Sequence, residues 1–124
     1  MIKICIVDDD FAIEQLAQYL IGEGYEVLRY ALAEQAFEDL KELAKKDLII
    51  LDVMMESPNN LSSAATRGGH RTGLVLAQEL RKLNASLPII AFSATHDKDV
   101  VEWFNEKKNS CFINKWNQPS FKEF

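Results

Sequence analysis

Short apolar runs alternate with amphipathic segments along almost the whole chain, and this alternation limits the possible folds more than any other feature. The first run, Ile2–Val7, is rich in β-branched residues and too short for a helix, so it predicts a strand. A segment with apolar residues at helical spacing follows it, and the pair of patterns then recurs. Four strand–helix units and a fifth strand predict a doubly wound α/β fold with a parallel sheet and right-handed crossovers.

The predicted elements follow one another with mostly short connections. We expect strands at residues 2–7, 25–30, 48–51, 89–92 and 111–113, and helices near residues 11–21, 32–44, 72–83 and 100–104. Asp10 and Thr72 are candidate N-caps of the first and third helices. The run Leu48–Leu51 is apolar on both faces, which is typical of a central strand covered by helices on both sides.

Length, charge and cysteine content restrict the classes of function. The 124 residues suffice for one domain, and we expect residues 1–124 to form a single one. The net charge of −5 argues against nucleic-acid binding, and no apolar stretch is long enough to span a membrane. Cys5 and Cys111 lie in apolar runs, which favours buried, inert thiols in a cytoplasmic protein over a disulfide or a metal pair.

Polar residues collect where the predicted strands end. Because the carboxyl ends of parallel strands share one edge of the sheet, the side chains that follow them should meet there. Crowded carboxylates repel one another, and a hard cation such as Mg²⁺ relieves that repulsion. Each residue alone has an ordinary explanation as a helix cap or a surface turn. Together they predict a site for a phosphoryl group, made of Asp8, Asp9, Asp52, Ser93 and Lys115.

Four segments resemble a known family. In their order and spacing they resemble the acidic pair, the phosphorylation-site strand, the strand ending in Ser or Thr and the aromatic-x-x-Lys segment of the receiver domain of bacterial two-component response regulators. These segments are Val7-Asp8-Asp9, Leu48 to Met55, Ala91-Phe92-Ser93-Ala94 and Phe112-Ile113-Asn114-Lys115. The resemblance implies a flavodoxin-like three-layer sandwich of (βα)5 type with strand order 2-1-3-4-5.

The resemblance also implies a metal site. Asp52 would be the phosphoacceptor. Asp9, Asp52 and the backbone carbonyl of Met54 would bind Mg²⁺ directly, with Asp8 acting mainly through water. The domain would then not be an enzyme in the usual sense, because it would catalyse only its own phosphorylation and dephosphorylation.

The remaining matched residues would act on the phosphoryl group and on the switch. Lys115 would pair with the phosphoryl oxygens. Ser93 would turn inward to hydrogen-bond the phosphoryl group, and Phe112 would follow it from an exposed to a buried rotamer.

The sequence departs from the family pattern in three places. Glu56 replaces the usual Pro, and Thr72-Gly73 stands for an Asp-Gly pair about a dozen residues late, which leaves a long connection at residues 56–72, here called the insertion. Trp116 follows Lys115 where the family usually has Pro after a cis bond. The fifth helix is truncated. We expect the insertion to be a mobile surface loop or a lid, with Arg67, His70 and Arg71 placing positive charge near the site.

The function that we expect is a phosphorylation-dependent switch. Its partners would be a sensor histidine kinase or phosphotransfer protein, a downstream protein and a second copy in a homodimer, with neither nucleic acid nor membrane. No output segment follows, so the domain either acts alone through protein contacts or is a piece of a larger protein. Two alternatives stay open: a pseudo-receiver that docks partners without phosphorylation, and a metal-dependent aspartyl-phosphate phosphohydrolase using the Asp-x-Asp pattern of Asp8-Asp9-Asp10.

Overall fold

The computed structural model describes residues 1–59, 61 and 63–115. Within these residues the chain forms five strands, which are β1 (Lys3–Val7), β2 (Glu26–Tyr30), β3 (Leu48–Leu51), β4 (Ile89–Ser93) and β5 (Ser110–Asn114). It also forms six helical segments, which are α1 (Ile13–Gly22), α2 (Ala33–Glu38), α3 (Leu40–Leu43), α4 (Ser63–Thr66), α5 (Thr72–Leu83) and α6 (Lys98–Glu106).

The five strands form one parallel sheet in the order β2-β1-β3-β4-β5. This order confirms the predicted doubly wound topology, in which β1 and β3 lie side by side in the interior. Ile49, Ile50 and Leu51 of β3 are all buried, as the two-faced apolar pattern predicted.

Helices cover both faces of this sheet. Alternate residues of β1 point to opposite sides, so Ile4 and Ile6 pack with α1 while Cys5 and Val7 pack with the other helices. The larger core cluster on that second side includes residues of α2, α3, α5 and α6, among them Ala36, Leu43, Leu76 and Phe104. None of the described helices is long and apolar enough to cross a membrane.

The predicted second helix is interrupted, which corrects the continuous helix expected near residues 32–44. The chain leaves helical geometry at Asp39, whose φ and ψ are −110° and 27°, and it resumes at Leu40 as α3. The carboxylate of Asp39 accepts a hydrogen bond of 2.7 Å from the Tyr30 hydroxyl of β2. Apolar spacing continues across the interruption, which explains why periodicity alone did not reveal it.

Neither predicted N-cap residue caps its helix. Ala12 occupies the N-cap position of α1, and Asp10 instead accepts a hydrogen bond of 2.9 Å from the Ala12 amide in the preceding turn. Thr72 is the first residue of α5, and its hydroxyl donates to the Met55 carbonyl at 2.7 Å. The Asp10 carboxylate therefore stabilises a local turn instead of a cap, and the Thr72 hydroxyl is used in a long-range tertiary contact.

The insertion contains more structure than the sequence indicated. A short helix, α4, lies within it, and the Met55 amide donates to the Gly69 carbonyl at 3.1 Å. Arg71 does not reach toward Asp52 as expected but pairs with Asp97 beyond β4. Hydrogen bonds to neighbouring segments thus hold the described part of the insertion, although its mobility stays a prediction.

The two cysteines are free thiols, so the alternative of a disulfide is wrong. Cys5 is fully buried, and burial raises its pKa to about 12, which keeps the thiol protonated and inert. Cys111 is only half-buried, with a pKa also raised by burial. The predicted truncation of the fifth helix and the Lys115–Trp116 peptide bond lie outside the described residues.

Candidate functional site: an acidic pocket at the carboxyl edge of the sheet

Three carboxylates meet at the carboxyl edge of the sheet. Asp8 and Asp9 follow β1 and Asp52 follows β3, and these strands are paired with Val7 opposite Leu51. One carboxylate oxygen from each of the three residues lies within 4.8 Å of the others. Asp8 and Asp52 are only 1% and 6% exposed, whereas Asp9 faces solvent. The structure therefore brings together the three acids that the sequence assigned to one site.

Lys115 lies directly between two of these acids. Its Nζ atom is 2.8 Å from Asp8 Oδ2 and 2.9 Å from Asp52 Oδ2. Burial alone would lower the pKa of Lys115, but its hydrogen bonds and the two negative charges outweigh burial, and the pKa is raised. The ammonium group is therefore charged at neutral pH and available to an anionic ligand.

The pKa of Asp8 shows most clearly how the crowded carboxylates affect one another. Burial and the charge of Asp52 raise its pKa to about 6, and the opposing effect of Lys115 only partly offsets them. Three carboxylates thus face a single ammonium group, which leaves an excess of negative charge in a partly buried pocket. Extra positive charge would stabilise this arrangement.

Ser93 already points into the site. Its Oγ atom donates to Asp52 Oδ1 at 2.6 Å, and the Met54 amide donates to the same oxygen at 3.0 Å. Phe112, the other predicted switch residue, is half-buried and packs against the larger core cluster. Ser93 therefore makes an inward hydrogen bond, whereas Phe112 is only partly buried, and the switch role of both residues stays a prediction.

Two contributions to the site were missed by sequence reasoning. Arg29 donates from β2 to the carbonyl oxygens of Asp8 and Asp10 at 3.0 and 3.2 Å, and it pairs with Glu14, so it fixes the acidic turn. A charged residue in the otherwise mainly apolar middle of a strand was the available signal. Arg29 holds the turn by binding its backbone carbonyl groups, and these hydrogen bonds do not involve the carboxylates of the site.

Gly73 is the second missed contribution. A Cβ atom on this residue would lie 2.1 Å from the Asp52 carbonyl oxygen and 2.6 Å from Val53 Cα. The Gly73 amide also donates to the Val53 carbonyl at 2.9 Å. Glycine is therefore required here by the close approach of α5 to the residues that follow β3, and the Thr72-Gly73 pair was the signal for it.

The pocket over these residues is a cavity of about 520 Å³. Asp9, Asp52 and Lys115 line one side of it, and Met54 and Phe92 supply apolar walls. The side-chain atoms that could bind a cation here are carboxylate oxygens, which hard divalent cations prefer as ligands. The residues present therefore fit Mg²⁺, and the pocket suits a small anion bound next to a cation.

Comparisons with known proteins agree with this site. The family model for the response regulator receiver domain matches residues 4–120. The chain is 32% identical over 105 residues to the transcriptional regulatory protein RprY of Bacteroides fragilis, a match that covers 83% of this chain and 39% of that protein. It is 31% identical over 97 residues to the alkaline phosphatase synthesis transcriptional regulatory protein PhoP of Bacillus subtilis, covering 77% and 35%.

Solved structures show the same fold. The CheY-like receiver domain protein from Methanospirillum hungatei superposes with a TM-score of 0.77 at 19% identity, covering 99% of this chain and 86% of that one. The non-phosphorylated HemR receiver domain from Leptospira biflexa gives a TM-score of 0.76 at 24% identity, covering 100% and 88%. At these identities the likeness concerns the fold alone.

The fold and the acidic pocket are those of a phosphorylation-dependent signalling module of two-component systems. The chain belongs to the response regulator receiver domain family. Receiver domains bind Mg²⁺ at an acidic pocket and are generally signalling modules rather than enzymes. The chain spans about two-fifths of the length of the curated relatives that it matches, at 39%, 42% and 35% of three of them.

Proposed function

We propose that Asp52 receives the phosphoryl group, from the phosphohistidine of a sensor histidine kinase or of a phosphotransfer protein. One observation carries this proposal. Lys115 and Ser93 donate to different oxygens of the Asp52 carboxylate, at 2.9 and 2.6 Å, so both donors are already placed around the group to be modified. Donors fixed before the reaction stabilise developing charge without the cost of reorganisation.

The transfer moves one phosphoryl group between two side chains. An Asp52 oxygen attacks phosphorus, the P–N bond to the donor imidazole breaks, and a P–O bond forms an acyl phosphate. The released imidazole nitrogen keeps the bonding electron pair and takes a proton from water. Lys115 would then pair with a phosphoryl oxygen, and the Ser93 hydroxyl would donate to another. Attack of water on the acyl phosphate later returns Asp52 and inorganic phosphate.

Asp8, Asp9, Asp52 and the Met54 carbonyl are the residues that would hold Mg²⁺. When bound, the ion would neutralise negative charge on the carboxylates and on the phosphoryl oxygens. Asp9 is the exposed member of the three acids, and so it can bind a hydrated ion with little rearrangement. We assign Asp8 an indirect role through water, as the resemblance to the family implies.

The proposed switch passes through Ser93 and Phe112 to a downstream protein partner. The phosphoryl group must favour one state of the domain by a few kcal/mol to dominate the population. Ser93 is the last residue of β4, and Phe112 lies opposite Ala91 on the neighbouring strand. We expect a change in the hydrogen bond of Ser93 to reach Phe112 through the pairing of β4 with β5.

Intact-protein mass spectrometry after incubation with acetyl phosphate and Mg²⁺ tests the proposal. We expect a gain of about 80 Da, the mass of one phosphoryl group, which is absent in Asp52→Ala. Asp10→Ala is the matched control, because Asp10 is a neighbouring exposed acid that does not belong to the cluster of Asp8, Asp9 and Asp52. If the gain persists in Asp52→Ala and disappears in Asp10→Ala, the nucleophile lies in the Asp-x-Asp pattern. If native protein shows no gain, docking without phosphorylation becomes the better account.

Thermal unfolding tests the metal ligands separately. A ligand that binds only the folded state raises the melting temperature by mass action, so Mg²⁺ should raise that of the native protein. Asp9→Asn should lose most of this shift, while Asp10→Asn should keep it. A full shift in Asp9→Asn would show that Asp9 is not a ligand.

A further inference from the structure

A second groove lies beside the acidic pocket, between the insertion and the connection from β4 to α6. It has a volume of about 400 Å³. The insertion contributes one wall, the connection from β4 contributes the other, and Met54 lines both this groove and the acidic pocket. The residues that line it include Met54, Arg67, His70, Ala94, His96 and Asp97.

One ion pair fixes the two walls relative to each other. Arg71 donates to Asp97 through Nε at 2.7 Å and through a terminal nitrogen at 3.0 Å, a two-bond geometry that orients both groups. The Arg71 side chain is only 16% exposed, so this pair lies largely out of water. Thr72 adds a hydrogen bond from the start of α5 to the Met55 carbonyl. Hydrogen bonds therefore connect the segments that form the two walls of the groove.

The exposed groups in the groove are basic. Arg71 faces the carboxylate of Asp97 and, at 3.7 Å, that of the exposed Asp99 outside the lining. The basic groups of the lining itself are Arg67, His70 and His96. All three are exposed, and within the described ranges no carboxylate pairs with any of them. An imidazole donates a hydrogen bond in either protonation state, so the two histidines suit an anionic acceptor. The side chains of Met54 and Ala94 add an apolar surface between these basic groups.

We propose that this groove docks an acidic segment of a partner protein. The basic rim complements carboxylates, and the apolar surface suits the methylene and methyl groups of a peptide, which a small inorganic anion lacks. Nucleic acid is the less suitable occupant, because the described residues that line the groove include no Phe, Tyr or Trp side chain on which a base could stack. The docking does not depend on phosphorylation of Asp52. It assigns a role to Arg67 and His70, which the proposed phosphoryl site does not use.

NMR titration of the ¹⁵N-labelled, unphosphorylated protein tests the proposal. The probe is a short synthetic peptide of Glu, Ala and Leu, and the control peptide has Gln in place of every Glu. We expect amide shift changes at residues 67–70 and 94–97 with the acidic peptide alone. The double variant Arg67→Gln with His70→Asn should weaken binding at least five-fold, which corresponds to about 1 kcal/mol. Lys45→Gln, which removes a positive charge far from the groove, should bind as the native protein does.

Several outcomes would overturn the proposal. These are no shifts at millimolar peptide, shifts centred on another surface, equal binding of the Gln peptide, and unchanged affinity in the double variant. A thermal melt of that variant shows whether it is folded, and a single Arg67→Gln variant replaces it if it is not. Displacement of the peptide by equimolar inorganic phosphate would indicate a general anion site instead. Tighter binding of an oligothymidylate at the same residues would indicate nucleic acid.

Discussion

A partly buried cation at each edge of the sheet can be compared with the other, because Lys115 and Arg81 have opposite surroundings. At the carboxyl edge, Lys115 contacts the carboxylates of Asp8 and Asp52. At the amino edge, the hydrogen bonds of Arg81 of α5 within the described part of the chain go to neutral acceptors: the carbonyl oxygens of Asn84, Ala85, Leu87 and Asn109 and the hydroxyl of Ser110. The pKa of Lys115 is raised, whereas burial lowers the pKa of Arg81.

This difference indicates that the contacts of Lys115 belong to a reactive site, whereas those of Arg81 have a structural role. Neutral carbonyl oxygens do not repel one another, so the hydrogen bonds of Arg81 join the end of α5 to the segments before β4 and β5 without competition. The carboxylates around Lys115 repel one another and compete for one ammonium group, so each can exchange that contact for a cation or a phosphoryl group. Four substitutions test the comparison.

Lys115→Met should have the largest effect on phosphorylation. Removing one fixed positive group beside the developing charge should slow adduct formation from acetyl phosphate by about 100-fold or more. Lys82→Met is the control, since Lys82 is an exposed lysine of the same charge in the last turn of α5, paired with Glu79. The measurement is the rate of mass gain at saturating Mg²⁺. A native rate in Lys115→Met would mean that Lys115 is as structural as Arg81.

Gly73→Ala should have the largest effect on stability. The added methyl group would overlap backbone atoms of Asp52 and Val53, which cannot move without displacing the end of β3. We expect a loss of about 3 kcal/mol in the free energy of unfolding, measured by urea denaturation. Gly22→Ala at the opposite edge meets no atom within 4 Å, and it should be neutral or slightly stabilising. Equal stabilities of the two variants would contradict the close approach of α5 to β3.

Arg81→Met should destabilise the fold without slowing phosphorylation. The methionine replaces the apolar stem but leaves the carbonyl groups of Leu87 and Asn109 without this donor. The free energy of unfolding should fall by about 2 kcal/mol. The rate of adduct formation, measured well below the melting temperature, should remain within two-fold of native, about 0.4 kcal/mol. A much slower rate would show that the two edges are coupled.

Arg71→Gln should have the smallest effect, and that effect should depend on pH. The hydrogen bond from Arg71 holds the pKa of Asp97 below its ordinary value. The pair therefore stabilises the fold fully above the ordinary carboxyl pKa of about 3.9, and this contribution is lost as pH falls through the lowered pKa. We expect a difference of about 1 kcal/mol at neutral pH, shrinking in acid as far as both proteins stay folded. A difference independent of pH would mean that Arg71 contributes through packing alone.

The sheet was predictable because its strands carry strong local signals. Runs such as Leu48–Leu51 are apolar on both faces and end at a polar residue, so they identify both the strand and its place in the sheet. Strand ends then located the acids of the site without any knowledge of tertiary contacts. Lys115 contacts Asp8 and Asp52 because all three residues lie where parallel strands end at the same edge of the sheet.

What the sequence did not reveal depends on side chains that cross between elements. The predicted second helix is interrupted at Asp39, whose carboxylate accepts a hydrogen bond from the Tyr30 hydroxyl of β2. Thr72 does not cap its helix, because its hydroxyl donates to the Met55 carbonyl, seventeen positions earlier in the chain. Arg71 was expected near the phosphoryl site because of its place in the chain, yet Asp97 provides a closer carboxylate. Local patterns contain no information about such partners. The Thr72-Gly73 pair marked the position of Gly73, but the close approach of α5 to Asp52 that requires glycine there is a tertiary feature.

The insertion also bears on how this domain can change over evolutionary time. Its two ends are fastened at nearly the same place, by the hydrogen bonds from Met55 to Gly69 and from Gly73 to Val53. The residues between these hydrogen bonds form a closed loop, and the entropic cost of closing such a loop grows only with the logarithm of its length. The segment can therefore lengthen, shorten or change composition while the strand end carrying Asp52 stays where it is. New binding specificities can accumulate there without any alteration to the chemistry beside them.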